Sequence, residues 1–271
     1  MPRAHVNEID VYYELHGNDL DNCIVLIRGL GTQMSEWPET LIAALRSGGL
    51  TVLLFDNRDV GKSEKLKKDY PLKAMADDVV GLLDSLNIPR AHIFGISLGG
   101  MITQLIGYHY SDRARTLFPV MTSSGNPNLP PMSPDILARM TKVGETEDEI
   151  IRINTENRGV FGSPGYPESQ AQRLAASKAA FERCYYPQGV NRQMNAAISD
   201  GSRVERIREI STPTLVIHGE DDVLIAYQAG KDVADNIPDA EFQLVPGMGH
   251  NIPEALGAEL ADRVLTFIQA H

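Results

Sequence analysis

Apolar positions along the chain fall into two kinds of pattern. Short unbroken apolar runs between polar loops occur at residues 23–27, 51–55, 91–94, about 116–121, 214–217 and 242–245. Such runs are too short for core helices and suit strands buried on both faces of a parallel sheet. Other segments have helical spacing. Met75, Val79, Leu82, Leu83 and Leu86 form one stripe, and Asn87-Ile88-Pro89 stops it. Helix-like sequence also covers 39–46, the stretch from Leu98, 203–210, 225–236 and a C-terminal segment with Leu256, Leu260, Val264, Phe267 and Ile268 on one side. Residues 4–17 read as two short strands around a turn at Asn7-Glu8. Strands alternating with helices predict an α/β fold, a mostly parallel twisted sheet with helices on both faces.

The alternation stops at residue 126. Residues 126–200 open on Pro127, Pro130, Pro131 and Pro134 and contain no strand-like run. Thr146-Glu147-Asp148-Glu149 reads as a capping box that starts one helix. A second helix is expected over about 168–185, with Leu174, Phe181 and Tyr185 on one face. The expected organisation is a sheet-forming part, residues 1–125 and 201–271, with a helical insertion at 126–200.

Composition narrows the partners. At 42% hydrophobic and 23% charged residues, the chain is an ordinary globular sequence. A net charge of −11 and the lack of a basic stripe argue against nucleic acid. No apolar run approaches the roughly 20 residues that span a bilayer, and MPRAHVNEID lacks the apolar segment of a signal peptide. Cys23 opens a buried strand and reads as a free thiol, not half of a disulfide with Cys184. No His-x-x-x-His or Cys pair suggests a metal site. The expectation is a cytoplasmic monomer or homodimer without cofactor, acting on a small molecule.

The chemistry centres on Gly95-Ile96-Ser97-Leu98-Gly99-Gly100, between a strand and a helix. A serine on that turn is the pattern of a nucleophile elbow. Lifting the hydroxyl clear of the sheet brings the residues two before and two after close together, so Gly95 and Gly99 are needed there. The Leu98 N–H, starting the helix, can serve an oxyanion. Serine needs a base, and the base needs an orienting carboxylate. Of the seven histidines, His5 and His16 lie in the N-terminal hairpin, His271 ends the chain, and His92 and His109 read as structural. His218 ends a strand, where a ring bonded to backbone is the simple reading. His250 lies in the loop Pro246-Gly247-Met248-Gly249 after a strand, at the edge where such sheets bind ligands. The acid belongs in Gly219-Glu220-Asp221-Asp222, with Asp222 favoured and Asp221 as fallback. Ser97, Asp222 and His250 then follow the Ser…Asp…His order of α/β-hydrolases. Leu30, between Gly29 and Gly31 after the strand 23–27, offers the second oxyanion N–H.

A dinucleotide-binding reading of Gly29-Leu30-Gly31 with Asp56 fits less well. Met34 stands where a third glycine belongs, a hairpin precedes the strand, and Ser97, Asp222 and His250 go unused.

On these motifs, with Trp37-Pro38, the stretch Phe55 to Ser63 and Gly249-His250, the chain resembles α/β-hydrolase-fold serine esterases over nearly its whole length. It most resembles the branch of aclacinomycin methylesterase-like enzymes and small carboxylesterases. The resemblance implies a core sheet of residues 1–125 and 201–271 with a helical cap at 126–200. With Ser97, Asp222 and His250, the expected activity is hydrolysis of small carboxylic esters, with short to medium acyl or methyl groups, through an acyl-enzyme. Enol-lactone hydrolysis, C–C bond hydrolysis and perhydrolysis use the same triad, and a ligand sensor with little turnover is a further alternative. Two residues depart from the family: Arg28 replaces the usual histidine before the oxyanion-loop glycine, and Asp59 stands where many members have glycine. Arg28 reads as pairing with a carboxylate, or as reaching an acidic group on the substrate. Met34, Phe161, Phe181, Tyr185, Met194 and Met248 are pocket candidates, with packing of cap against core the simpler reading of any one of them.

Overall fold

The structure is a computed structural model and describes residues 2–271. Eight strands form one sheet: β1 (Arg3–Val6), β2 (Ile9–His16), β3 (Cys23–Ile27), β4 (Thr51–Phe55), β5 (Ala91–Ile96), β6 (Ala114–Val120), β7 (Leu215–Gly219) and β8 (Glu241–Val245), in the order β1-β2-β4-β3-β5-β6-β7-β8. The β1–β2 hairpin joins β4 antiparallel, and all pairings from β4 to β8 are parallel.

Apolar runs in β3, β4 and β5 are unbroken because each strand feeds two cores. Val25 and Ile27 face one cluster, with Met75, Val79 and Leu82 of α2 (Leu72–Ser85) and Ile102 and Leu105 of α3 (Leu98–His109). Ile24 and Leu26 face the other, built from α1 (Glu39–Ser47) and the C-terminal helix (Glu254–Ala270), through Leu41, Leu45, Leu256, Leu260 and Val264. Helices on both faces leave the C-terminal ends of the parallel strands as the free edge, and six loops gather there. The Cys23 thiol is free and buried, and burial pushes it up to about 12.

Between β6 and β7 the chain forms α4 (Pro134–Thr141), α5 (Glu147–Val160), α6 (Gln170–Arg183) and α7 (Pro187–Asp200), then the short α8 (Val204–Ile207). Helix α9 (Tyr227–Asn236) follows β7, and Glu254–Ala270 is α10. Pattern alone predicts α5 and α6 but neither α4 nor α7. The capping box at Thr146 is half present. Thr146 accepts from the Glu149 N–H at 3.3 Å, but the Glu149 side chain turns to the Glu145 N–H at 3.0 Å. The full reciprocal box lies at Ser169 and Gln172, starting α6.

Buried ion pairs fasten the helical segment to the sheet. Arg183 of α6 binds Asp56 at the end of β4, with an Nη2–Oδ2 distance of 2.7 Å. Arg192 of α7 makes two bonds of 2.9 Å to Asp59. Both carboxylates are fully buried. The departure to Asp at position 59 thereby has a structural account: it anchors α7. Among the described residues, no helix is long and apolar enough to cross a membrane.

Candidate active site

Ser97 sits between β5 and α3 with φ 55° and ψ −117°, a conformation that costs a residue with a Cβ about 1–3 kcal/mol. The surroundings hold it there. Its N–H donates to Val120 O at 2.9 Å, and its carbonyl accepts from the Thr122 hydroxyl at 2.7 Å and the Gly100 N–H at 2.9 Å. The flanking glycines are a packing requirement. A Cβ on Gly95 would stand 2.1 Å from Gly99 O, and one on Gly99 would stand 2.2 Å from Ile27 O.

The loops after β7 and β8 bring the other two groups. The Ser97 hydroxyl donates to His250 Nε2 at 3.0 Å, and His250 Nδ1–H donates to Asp222 Oδ2 at 2.7 Å. With a carboxylate on Nδ1, the neutral ring carries its proton there and leaves a lone pair for the serine. The Asp222 side chain is fully buried. Burial alone would raise its carboxyl, but the charge of His250 and the bonds from His218 and His250 outweigh burial and hold it well below the usual carboxylate range. Its other oxygen accepts from the Leu224 and Ile225 N–H groups, both at 2.9 Å. Asp221 points elsewhere, onto a surface cavity beside Arg158 and Arg173.

Leu98 is the first residue of α3, so its N–H precedes the helix's own bonding ladder. The loop after β3 passes against the serine, where a Cβ on Gly29 would stand 3.1 Å from Ser97 Cβ. In that loop the Thr32 N–H is bonded to Gly29 O and the Gly31 N–H to Gln193 Oε1 of α7 at 2.9 Å, whereas the Leu30 N–H has no acceptor among the described residues. Arg28 stays within its loop. It donates to Thr32 Oγ1 and Glu36 O, both at 3.2 Å, and lies over the Trp37 ring. Burial lowers it to about 10, with Glu36 opposing and Arg158 adding to the effect.

The pocket candidates scatter. Met34 and Met248 are packed in the core with Trp37 and Phe94. Phe181 and Tyr185 stack on each other at 5.2 Å, with Tyr185 40% exposed. Met194 is half-buried on α7, one residue past Gln193. Phe161 reaches the histidine loop through its backbone, its carbonyl accepting the His250 N–H at 2.7 Å. Two neighbours were not legible in sequence. Gln193 is fully buried on a helix whose buried positions lack large apolar residues. Ser163 accepts from the Gly249 N–H at 2.9 Å and bonds Asn251 Oδ1 at 2.6 Å, bracketing His250 from a loop without any motif. Among the described residues no cluster could hold a metal ion.

Known proteins are similar to this chain over most of its length. Rhodomycin D methylesterase of Streptomyces peucetius is 25% identical over 288 residues, covering 97% of this chain and 96% of that protein. A protein of Stutzerimonas stutzeri bearing the provisional name carbamate hydrolase is 29% identical over 245 residues, covering 89% of each. Among solved structures, the enol-lactonase of Burkholderia xenovorans LB400 superposes with a TM-score of 0.81 at 26% identity, covering 99% of this chain and 100% of that one. A meta-cleavage product hydrolase of Pseudomonas fluorescens IP01 reaches 0.83 at 18% identity, covering 100% and 98%, a likeness of fold alone. The profile of the alpha/beta hydrolase fold family matches residues 22–254, and the chain belongs to that family of hydrolases.

Proposed function

We propose that the protein hydrolyses carboxylic ester bonds of small molecules through an acyl-enzyme on Ser97. The observation that carries this is the unbroken series Ser97 Oγ, His250, Asp222 at 3.0 and 2.7 Å on a serine held at positive φ. As Ser97 Oγ attacks the ester carbonyl carbon, its proton passes to His250 Nε2, and Asp222 stabilises the imidazolium. The tetrahedral oxygen takes hydrogen bonds from the Leu30 and Leu98 N–H groups, each donor of this kind contributing about 3 kcal/mol. His250 then gives the proton to the leaving alcohol, the C–O bond breaks, and an ester of Ser97 remains. Water, deprotonated by His250, attacks that ester, and the acid leaves as the proton returns to Ser97. The helical segment 126–200 serves in this reading as a cap over the site, with the core formed by 1–125 and 201–271.

Methylester cleavage in one relative and the carbamate and enol-lactone names of others all describe an acyl carbon attacked at a bond to oxygen or nitrogen. An enol-lactone is the second substrate class to test, since the enol-lactonase matches the chain from end to end. Rates on nitrophenyl esters of graded acyl length, a methyl ester, a carbamate and an enol-lactone decide between them. Ser97→Ala should lower kcat by roughly 10⁴-fold or more on whichever is turned over. A Ser97→Ala protein that kept most of its esterase rate would refute the assignment, and a burst without turnover would mark a sensor instead.

A further inference from the structure

Asp222 carries a second histidine. His218, the penultimate residue of β7, is fully buried, and its Nε2 lies 3.3 Å from Asp222 Oδ2, the same oxygen that holds His250. Nε2 also lies 2.9 Å from Ile225 O. Two acceptors and no donor face this nitrogen, so the neutral ring carries its proton on Nε2 and shares it between the carbonyl and the carboxylate. Nδ1 has no partner and faces Gly230 of α9, where a Cβ would stand 2.1 Å from it. A glycine at 230 is what lets the ring sit this way. A buried nitrogen left bare on one side is costly, and the arrangement keeps the N–H directed at Asp222 on the other.

We propose that His218 is a positioning residue: its shared Nε2–H holds the Asp222 carboxylate turned so that Oδ2 meets His250. The proposal rests on the assignment of Ser97, His250 and Asp222 above. Four N–H donors then serve one carboxylate, Leu224 and Ile225 on Oδ1, His250 and His218 on Oδ2. The titratable groups facing Asp222 are His218 from β7 and His250 from the loop after β8. On its own loop, Glu220 is exposed and Asp221 lines the outer cavity near Arg158 of α5 and Arg173 of α6. Helix α9 brings Gly230, without charge, against the His218 ring. Removing the His218 donor leaves Asp222 a stronger base, which strengthens its hold on the imidazolium of His250.

The test is kcat/KM against pH, on a nitrophenyl ester, for the wild type, His218→Leu and His218→Gln. His218→Leu should lower kcat/KM roughly 10- to 100-fold and move the acid limb to higher pH by about half a unit or more. His218→Gln, whose amide supplies an N–H at a similar reach, should restore most of both. A His218→Leu protein with the wild-type rate and limb overturns the proposal. So does a loss with an unmoved limb that glutamine fails to restore, the outcome of a purely structural role. Should His218→Leu not fold, ring ¹⁵N spectra of the wild type decide: a bare Nδ1 and protonated Nε2 at His218 support the proposal, and the opposite tautomer overturns it. Fluorophosphonate labelling of the same wild-type preparation separates the two assignments. Label on Ser97 leaves the triad standing whatever His218 does, and label elsewhere removes both.

Discussion

The backbone N–H of His250 donates to the carbonyl of Phe161 at 2.7 Å. His250 is thus seated on the helical segment as well as on the loop after β8. Gly165 N–H to Gly247 O at 2.9 Å and Gly249 N–H to Ser163 Oγ at 2.9 Å extend the seam. Residues 161–165 and 247–251 form one hydrogen-bonded unit, which ties the helical segment to the loop that carries the imidazole.

Ser163→Ala should expose that dependence. It removes the acceptor of a buried N–H and the donor to Asn251, and should cost about 1–3 kcal/mol of stability. It should also lower kcat more than it raises KM, because ring placement matters most in the transition state. Urea unfolding and steady-state kinetics on the same preparation check both. Wild-type kcat in a destabilised Ser163→Ala protein would show that the seam does not position the ring.

Asp59→Asn tests the anchoring of α7. Loss of one member of a buried ion pair typically costs about 3–5 kcal/mol, and the exposure of Arg192 places this pair toward the lower end. Since α7 also carries Gln193, whose side chain accepts from the Gly31 N–H, hydrogen exchange should quicken in α7 and in residues 28–32 together. Faster exchange in α7 alone would break the link between the two.

How much of this was legible follows from what each element buries. Strands β3, β4, β5 and β7 bury both faces and announce themselves as apolar runs; Ser97 and Asp222 each follow one of them, whereas His250 follows β8, a mostly half-buried edge strand. Helix α7 buries Gly189, Gln193 and Ala196, and no residue of α4 is fully buried, so in neither helix do the apolar positions mark a core face. Asp59 and Arg192 are 133 residues apart, and no local pattern joins them. His218 reads as a ring bonded to backbone, which it is through Ile225 O. Its contact with Asp222 depends on the turn of the 219–222 loop and had no separate signal.

The elbow glycines should tolerate nothing larger. Gly95→Ala places a Cβ against the Gly99 carbonyl, and overpacking of a closed site costs roughly 1–3 kcal/mol, more where backbone must move. Thermal unfolding and kcat should fall together. A Gly95→Ala protein with unchanged kcat would contradict the closeness of this packing.

Stability should fall on mild acidification, with His92 as one cause. Burial, helped by Arg115 and Arg90, lowers its ring to about 4, and its Nδ1 lies 2.8 Å from Thr116 Oγ1. The unfolded chain takes up that proton near pH 6.5. The contribution is therefore complete above about pH 6.5 and is lost as pH falls toward 4, on the order of 2 kcal/mol between pH 7 and 5. Urea midpoints at those two pH values should lie closer together in His92→Gln than in the wild type. An unchanged gap would assign the acid loss to other groups.

The most direct measurement of the central claim is the site of covalent labelling by a fluorophosphonate, mapped by peptide mass spectrometry. A single adduct on Ser97 that forms with the wild type and is abolished in His250→Ala is the predicted result. An adduct on another serine, or full labelling of Ser97 without His250, would contradict the account.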